Sequence, residues 1–170
     1  MDSSKTLSLA FDVVGNYYLG GLCLWFGHWF SHQPWSPLRN HHLLSHHYVY
    51  PDSSRCRSPR FRMFEGTYDS NKALFPWFLL AAFVECFVLP GWLSAWGVLL
   101  LALVAGWSAW VHLQFHLNHA PFDRWKWFHL ARARHFIHHD HDKNFGVSDH
   151  FWDRLFGTFA EAQPQPNVNI

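Results

Sequence analysis

Residues 74–118, LFPWFLLAAFVECFVLPGWLSAWGVLLLALVAGWSAWVHLQFHLN, decide how this chain folds. They carry one fixed charge, Glu85. A helix needs about 20 apolar residues to cross the hydrocarbon core of a bilayer, so the run has room for two crossings. Pro90-Gly91 falls where a tight turn divides it, which predicts a helical hairpin of roughly 74–89 and 92–118. Upstream, Val13–Leu38 also lacks Asp, Glu, Lys and Arg, and its first part, Val13–Phe30, predicts one further span. The 11 tryptophans, many near the ends of these runs, suit the aromatic belt of a membrane interface better than a core helix pair of a soluble protein.

The charges agree with that count of spans. Only Lys5 precedes the first span. Arg39, Arg55, Arg57, Arg60, Arg62 and Lys72 lie between it and the hairpin, and Arg124, Lys126, Arg132, Arg134, Lys143 and Arg154 follow the hairpin. One span followed by a hairpin puts both basic regions on one side, which the positive-inside rule makes the cytoplasm. A net charge of +1 offers no basic field for nucleic acid. Residues 51–72 read as a polar loop or short interfacial helix, Arg124–His139 as an amphipathic helix near the surface, and 162–170 as a disordered tail after a single domain of residues 1–161. Asp2 in the first ten residues and the lack of a small-residue cleavage site argue against a cleavable leader.

The 15 histidines are the unusual feature of the composition. The only glutamates are Glu65, Glu85 and Glu161, too few for a carboxylate-type di-iron bundle, so any metal cluster must rest on imidazole. Cys23, Cys56 and Cys86 form no CxxC motif and read as ordinary thiols.

Four histidine clusters stand out: His28-Trp-Phe-Ser-His32, His42-Leu-Leu-Ser-His46-His47, His112-Leu-Gln-Phe-His116 with His119 beyond it, and His135-Phe-Ile-His138-His139. Residues four apart share a helix face, so each HxxxH can aim two imidazoles at one ion. The expected topology brings all four clusters to one face of the bilayer. Neutral imidazole binds Fe, Zn, Cu and Ni, and eight to ten such ligands suit two ions better than one. His41 could stand in for His42. His129 and His150 fit no spacing and read as surface or supporting residues, and His141 could be either. Asp140 and Asp149 are candidates to hold the second nitrogen of a ligand. The tryptophans read as lipid anchors or packing, with none assigned to a substrate.

These motifs in this order resemble the fatty acid hydroxylase superfamily, which includes sterol desaturases and C4-methyl sterol oxidases. The most specific part is the C-terminal run His135-Phe-Ile-His138-His139, Asn144-Phe145-Gly146 and Trp152-Asp153-Arg154-Leu155-Phe156-Gly157-Thr158, similar to the family's HxxHH…NFG…WDRLFGT ending. The second cluster departs from the family's HxxHH by reading HxxxHH, and the third offers three histidines where the family commonly uses two, which implies a spare among His112, His116 and His119. The resemblance implies an all-α integral membrane protein, with one N-terminal span, a transmembrane hairpin and a cytoplasmic-face histidine-rich cap. That cap would hold two Fe ions (Zn in purified samples is compatible), with O2 as co-substrate. Carried over residue by residue, the metal ligands would be His28, His32, His42, His46, His47, His112, His116, His119, His135, His138 and His139, with no catalytic residue beyond them. The implied reaction is hydroxylation of an unactivated C–H bond of a lipid or other long apolar molecule. Electrons would come from a separate donor of the ferredoxin, cytochrome b5 or reductase type. Desaturation starts from the same hydrogen abstraction and stays open. A non-catalytic membrane metal-binding or transport protein is the competing reading; transport would favour ionisable groups along the spans, where only Glu85 lies. A zinc hydrolase would want a carboxylate base beside its ligands, which only the fourth cluster has, as Asp140.

Overall fold

The computed structural model describes residues 3–51 and 74–162, and among them every regular element is helical. Helix α1 (Ser3–His32) is followed by the short α2 (Arg39–His42), which runs directly into a π-helical turn, Leu43–His47. The hairpin follows as α3 (Phe75–Val88) and α4 (Gly91–Phe115), then α5 (Lys126–Asp140) and the short α6 (Phe151–Leu155). The loop expected over 51–72, apart from Pro51, and the tail over 163–170 lie outside the described residues, as does Cys56. Cys23 is a buried free thiol and Cys86 an exposed one.

Proline placement sets several of these limits. Pro34 stops α1 soon after His32. Pro76 sits in the first turn of α3, where its missing N–H costs nothing. Pro90 forces Leu89 into extended backbone (φ −99°, ψ 148°) and so separates α3 from α4. The hairpin therefore forms where expected, but its first leg is shorter than a span. At 1.5 Å per residue the 14 residues of α3 rise about 21 Å, against about 30 Å of hydrocarbon. Among the described residues two helices, not three, are long and apolar enough to cross a membrane: Thr6–His32 of α1 and Gly91–Phe115.

Helices α1, α3 and α4 pack on one another around Cys23, Leu24, Phe78, Ala81 and Leu101. The same three helices bury Asn16 and Glu85, and a side chain on Gly97 of α4 would collide with the Glu85 carboxyl. The outward faces carry Phe11, Val14, Leu79, Phe83, Phe87, Trp92, Trp96 and Leu103, all well exposed. An apolar surface this extensive is foreign to a soluble monomer. A second apolar cluster, Val111, Phe115, Leu117, Ala120, Phe128, Ala131 and Val147, joins the end of α4 to α5. Helix α5 runs over Lys126–Asp140, close to the expected amphipathic segment, and buries Phe128, Ala131, His135 and His138, a single stripe at helical spacing.

Candidate metal centre

The C-terminal end of α1, the π turn, the end of α4 and the inner face of α5 meet at one end of the bundle, and each delivers histidines. The rings fall into two groups whose nitrogens lie within 4.8 Å of one another: His28, His32, His42, His47 and His138, and His46, His112, His116 and His135. His139 joins the second group, its Nε2 lying 3.1 Å from that of His135. The two groups stand side by side, with the His47 and His139 rings stacked at 4.5 Å between centroids.

Helical phase explains the sorting. On α1, His28 and His32 are four apart and enter the same group. On α5, His135 and His139 are four apart and enter the second group, while His138 turns into the first. The π turn changes the expected pairing in the second cluster. Widening the turn brings residues five apart into register, so His42 Nε2 meets His47 Nε2 at 3.2 Å and His46 points into the other group, 3.1 Å from His112 Nε2. His42 is buried and His41 exposed, which separates those two neighbours. His119 would share a face with His112 and His116 only if α4 continued. The helix ends at Phe115, and His119 is exposed and outside both groups.

The donor chemistry fits metal ions. Besides the contacts above, His47 Nε2 lies 3.2 Å from His138 Nε2, and His116 Nε2 lies 3.0 Å from His135 Nε2. For nitrogens about 2.1 Å from an ion, adjacent ligands at a right angle stand about 3 Å apart, so these separations match edges of a coordination shell. Hydrogen bonding alone explains them poorly, because His47 Nε2 and His135 Nε2 each face two other Nε2 atoms. His28 Nε2 and His32 Nε2 are buried with no hydrogen-bond partner among the described residues. Burial first, then the neighbouring imidazoles, holds His42, His46, His135 and His138 well below the ordinary imidazole value, in the neutral ligand form. Each group can hold a metal ion.

Several rings are oriented from outside. His28 Nδ1–H donates to the Phe145 carbonyl (2.8 Å), His138 Nδ1–H to the Lys143 carbonyl (3.0 Å), and His32 Nδ1–H to the Asp142 carboxylate (2.9 Å). These acceptors cannot donate, so the proton sits on Nδ1 and the Nε2 lone pair faces the group. The carboxylate on a clustered histidine is thus Asp142. Asp149 instead accepts from the Phe151 N–H (2.7 Å) and the Tyr17 hydroxyl, and Asp140 is exposed at the end of α5.

The loop carrying Lys143 and Phe145 is itself held by the signature that follows it. Asp153, fully buried, accepts from the N–H groups of Phe145 and Gly146 (both 2.8 Å), from the Thr158 hydroxyl (2.7 Å) and from His150 Nδ1 (2.9 Å). Burial alone would raise the Asp153 carboxyl, but these donors outweigh it and keep it below its ordinary value. Asn144, at φ 54°, bonds the Arg134 carbonyl and both backbone groups of Ala160, tying the loop to α5. A side chain on Gly146 would run into the Asp149 carbonyl and come within 2.9 Å of Asp153 Oδ2. His150 is therefore a buried partner of Asp153, while His129 bonds the Asp123 carbonyl away from both groups. Tyr50, whose ring stacks on His116 at 4.0 Å, is a further supporting residue that the histidine pattern alone does not mark.

A cavity of about 500 Å³ opens between α1 and α4, mostly apolar, lined by Val13, Tyr17 and Leu24 on one side and by Leu103, Trp107 and Ser108 on the other. Trp107 and Trp127 line it, so two tryptophans that read as anchors or packing also shape a cavity. Leu24 and Ser108 stand one helical turn before His28 and His112, members of the two different groups. A smaller, polar cavity of about 180 Å³, bordered by Arg39, Asp142, His32, His47, His138 and His139, opens the first group to the surface.

No curated protein and no solved structure matches this chain. The family model for fatty acid hydroxylases matches residues 14–158, a span that holds all ten clustered histidines and the loop that braces them. By that match over most of its length, the chain belongs to the fatty acid hydroxylase family.

Proposed function

We propose that this chain is a membrane-bound non-haem di-iron oxygenase that hydroxylates an unactivated C–H bond of a lipid or other long apolar molecule. The observation that carries this reading is the pair of adjoining imidazole groups, each with neutral, inward-facing nitrogens and no carboxylate among them. Two irons bound there would supply the activation of O2 with two external electrons. His28, His32, His42, His47 and His138 would hold one ion, and His46, His112, His116, His135 and His139 the other.

The remaining residues prepare the substrate's environment. The cavity between α1 and α4 offers an acyl chain or a similar apolar body a largely apolar wall, with Leu24 and Ser108 one turn before His28 and His112. At about 45 Å and 38 Å, α1 and α4 are longer than the hydrocarbon core, so their histidine-bearing ends project past it. The described basic residues Arg39, Arg124, Lys126, Arg132, Arg134, Lys143 and Arg154 follow the histidine-bearing ends of these helices in sequence, which supports a cytoplasmic histidine face. The opening beside His32 and Asp142 suits a separate electron donor.

The test is incubation of iron-loaded protein in detergent with a membrane lipid extract, a reductant and isotopically labelled O2. Product gaining one labelled oxygen atom supports hydroxylation. Loss of two hydrogens without label would make the protein a desaturase, and no turnover of any lipid by iron-loaded protein would contradict the oxygenase reading.

A further inference from the structure

The two histidine groups are not braced alike. In the first, His28, His32 and His138 each direct Nδ1–H to a fixed acceptor: the Phe145 carbonyl, the Asp142 carboxylate and the Lys143 carbonyl. In the second, Nδ1 of His46, His112 and His135 is buried with no hydrogen-bond partner among the described residues. His42 Nδ1 is the corresponding exception in the first group.

The difference bears on metal binding through the tautomer. A ring that gives its Nε2 lone pair to an ion must carry its proton on Nδ1. His28, His32 and His138 already hold that form, set by acceptors that cannot donate. For His46, His112 and His135 the same form leaves a buried N–H unsatisfied. Without an ion, one ring of each close contact can instead carry its proton on Nε2 and donate it to its neighbour, as between His112 and His46 (3.1 Å) and between His135 and His116 (3.0 Å). An ion entering the second group must displace these bonds and move the protons. The Asp142 carboxylate acts in the opposite sense on His32, raising its strength as a ligand.

We infer that the two groups bind metal with unequal affinity. The group braced by Phe145, Lys143 and Asp142 is the tighter one, and Asp142 is a positioning residue acting through His32. The inference rests on the reading that both groups hold ions. Asp142 is open to substitution without disturbing the core, since its side chain is 79% exposed.

The experiment is titration of the full-length, metal-free chain in detergent with Co(II), followed by calorimetry and by the visible absorption of the bound ion. Circular dichroism would check that each variant stays folded. Two steps separated by at least about tenfold are expected, since outer partners of metal ligands are worth about 10–100-fold in affinity. Asp142→Ala weakens the tighter step by about that factor and leaves the weaker one in place. Asp142→Asn has a smaller effect, because its amide oxygen still accepts from His32. His112→Ala removes the weaker step alone. Two ions of equal affinity, or an Asp142→Ala effect on the weaker step, would overturn the inference while leaving the two-metal reading intact. Fewer than two ions on the folded wild-type chain would overturn both.

Discussion

Asp153 belongs to neither histidine group, yet four donors converge on its carboxylate, and two of them are the backbone N–H groups of the residues beside the His28 contact. Asp153→Ala leaves those donors unsatisfied in a buried place. It should cost about 3 kcal/mol or more and release the loop that orients His28 and His138. A fall in both melting temperature and retained metal checks this. His150→Ala removes one donor of the four and is expected to keep its metal. Among the histidines, substituting His41 or His119 by alanine should leave metal content unchanged, whereas His46→Ala, His112→Ala or His138→Ala should lower it; equal losses from all five would undo the assignment. At this scale the histidine spacing picks out residues that the structure brings together in two groups, with His139 beside the second. What it leaves open, His41 against His42 and the spare among His112, His116 and His119, depends on where a helix ends and in what phase. Adjacent letters carry no such information. Asp142 is legible in HHDHD only as one acidic neighbour among several, because its role depends on a contact with a residue far away in the chain, His32.

The π turn, Leu43–His47, is the element that divides the second cluster between the two groups. HxxxHH read as an ordinary helix pairs His42 with His46, and the structure pairs His42 with His47 instead. Deleting Leu44 would place the three histidines at i, i+3 and i+4 on one helical face. His46 should then turn from the second group to the first. The expected outcome is an unchanged helical content with the bound metal reduced by about one ion per chain, read by circular dichroism and elemental analysis. Unchanged metal content would show that the π turn has no part in the sorting. Apolar runs and Pro90-Gly91 make the hairpin legible in the sequence. The first leg, read as roughly 74–89, already falls short of the about 20 residues a crossing needs, and the structure gives it 14.

Taken whole, the molecule buries many neutral imidazoles close together, and acid should act on it before it acts on an ordinary helical bundle. His42, His46, His135 and His138 titrate well below 6.5 in the folded chain, whereas the unfolded chain takes up protons near that value. The stability these rings confer is therefore complete above about pH 6.5 and is lost as pH falls toward their folded values, by up to about 1.4 kcal/mol per pH unit for each ring. Melting of the metal-free protein from pH 8 to pH 5 should show a steep decline below pH 6.5, and a flat profile would contradict the burial of these rings. The features consistent with a membrane protein, by contrast, need no site chemistry to be seen: among the described residues, two helices long and apolar enough to cross a bilayer, and the exposed apolar side chains of α1, α3 and α4.

The most direct test of the central claim is elemental analysis of metal per chain in detergent-purified protein grown in iron-rich medium. Two adjoining imidazole groups predict close to two ions per chain, mainly iron. One ion or none in a folded sample would contradict the two-metal centre and leave the chain a family member without the family's chemistry.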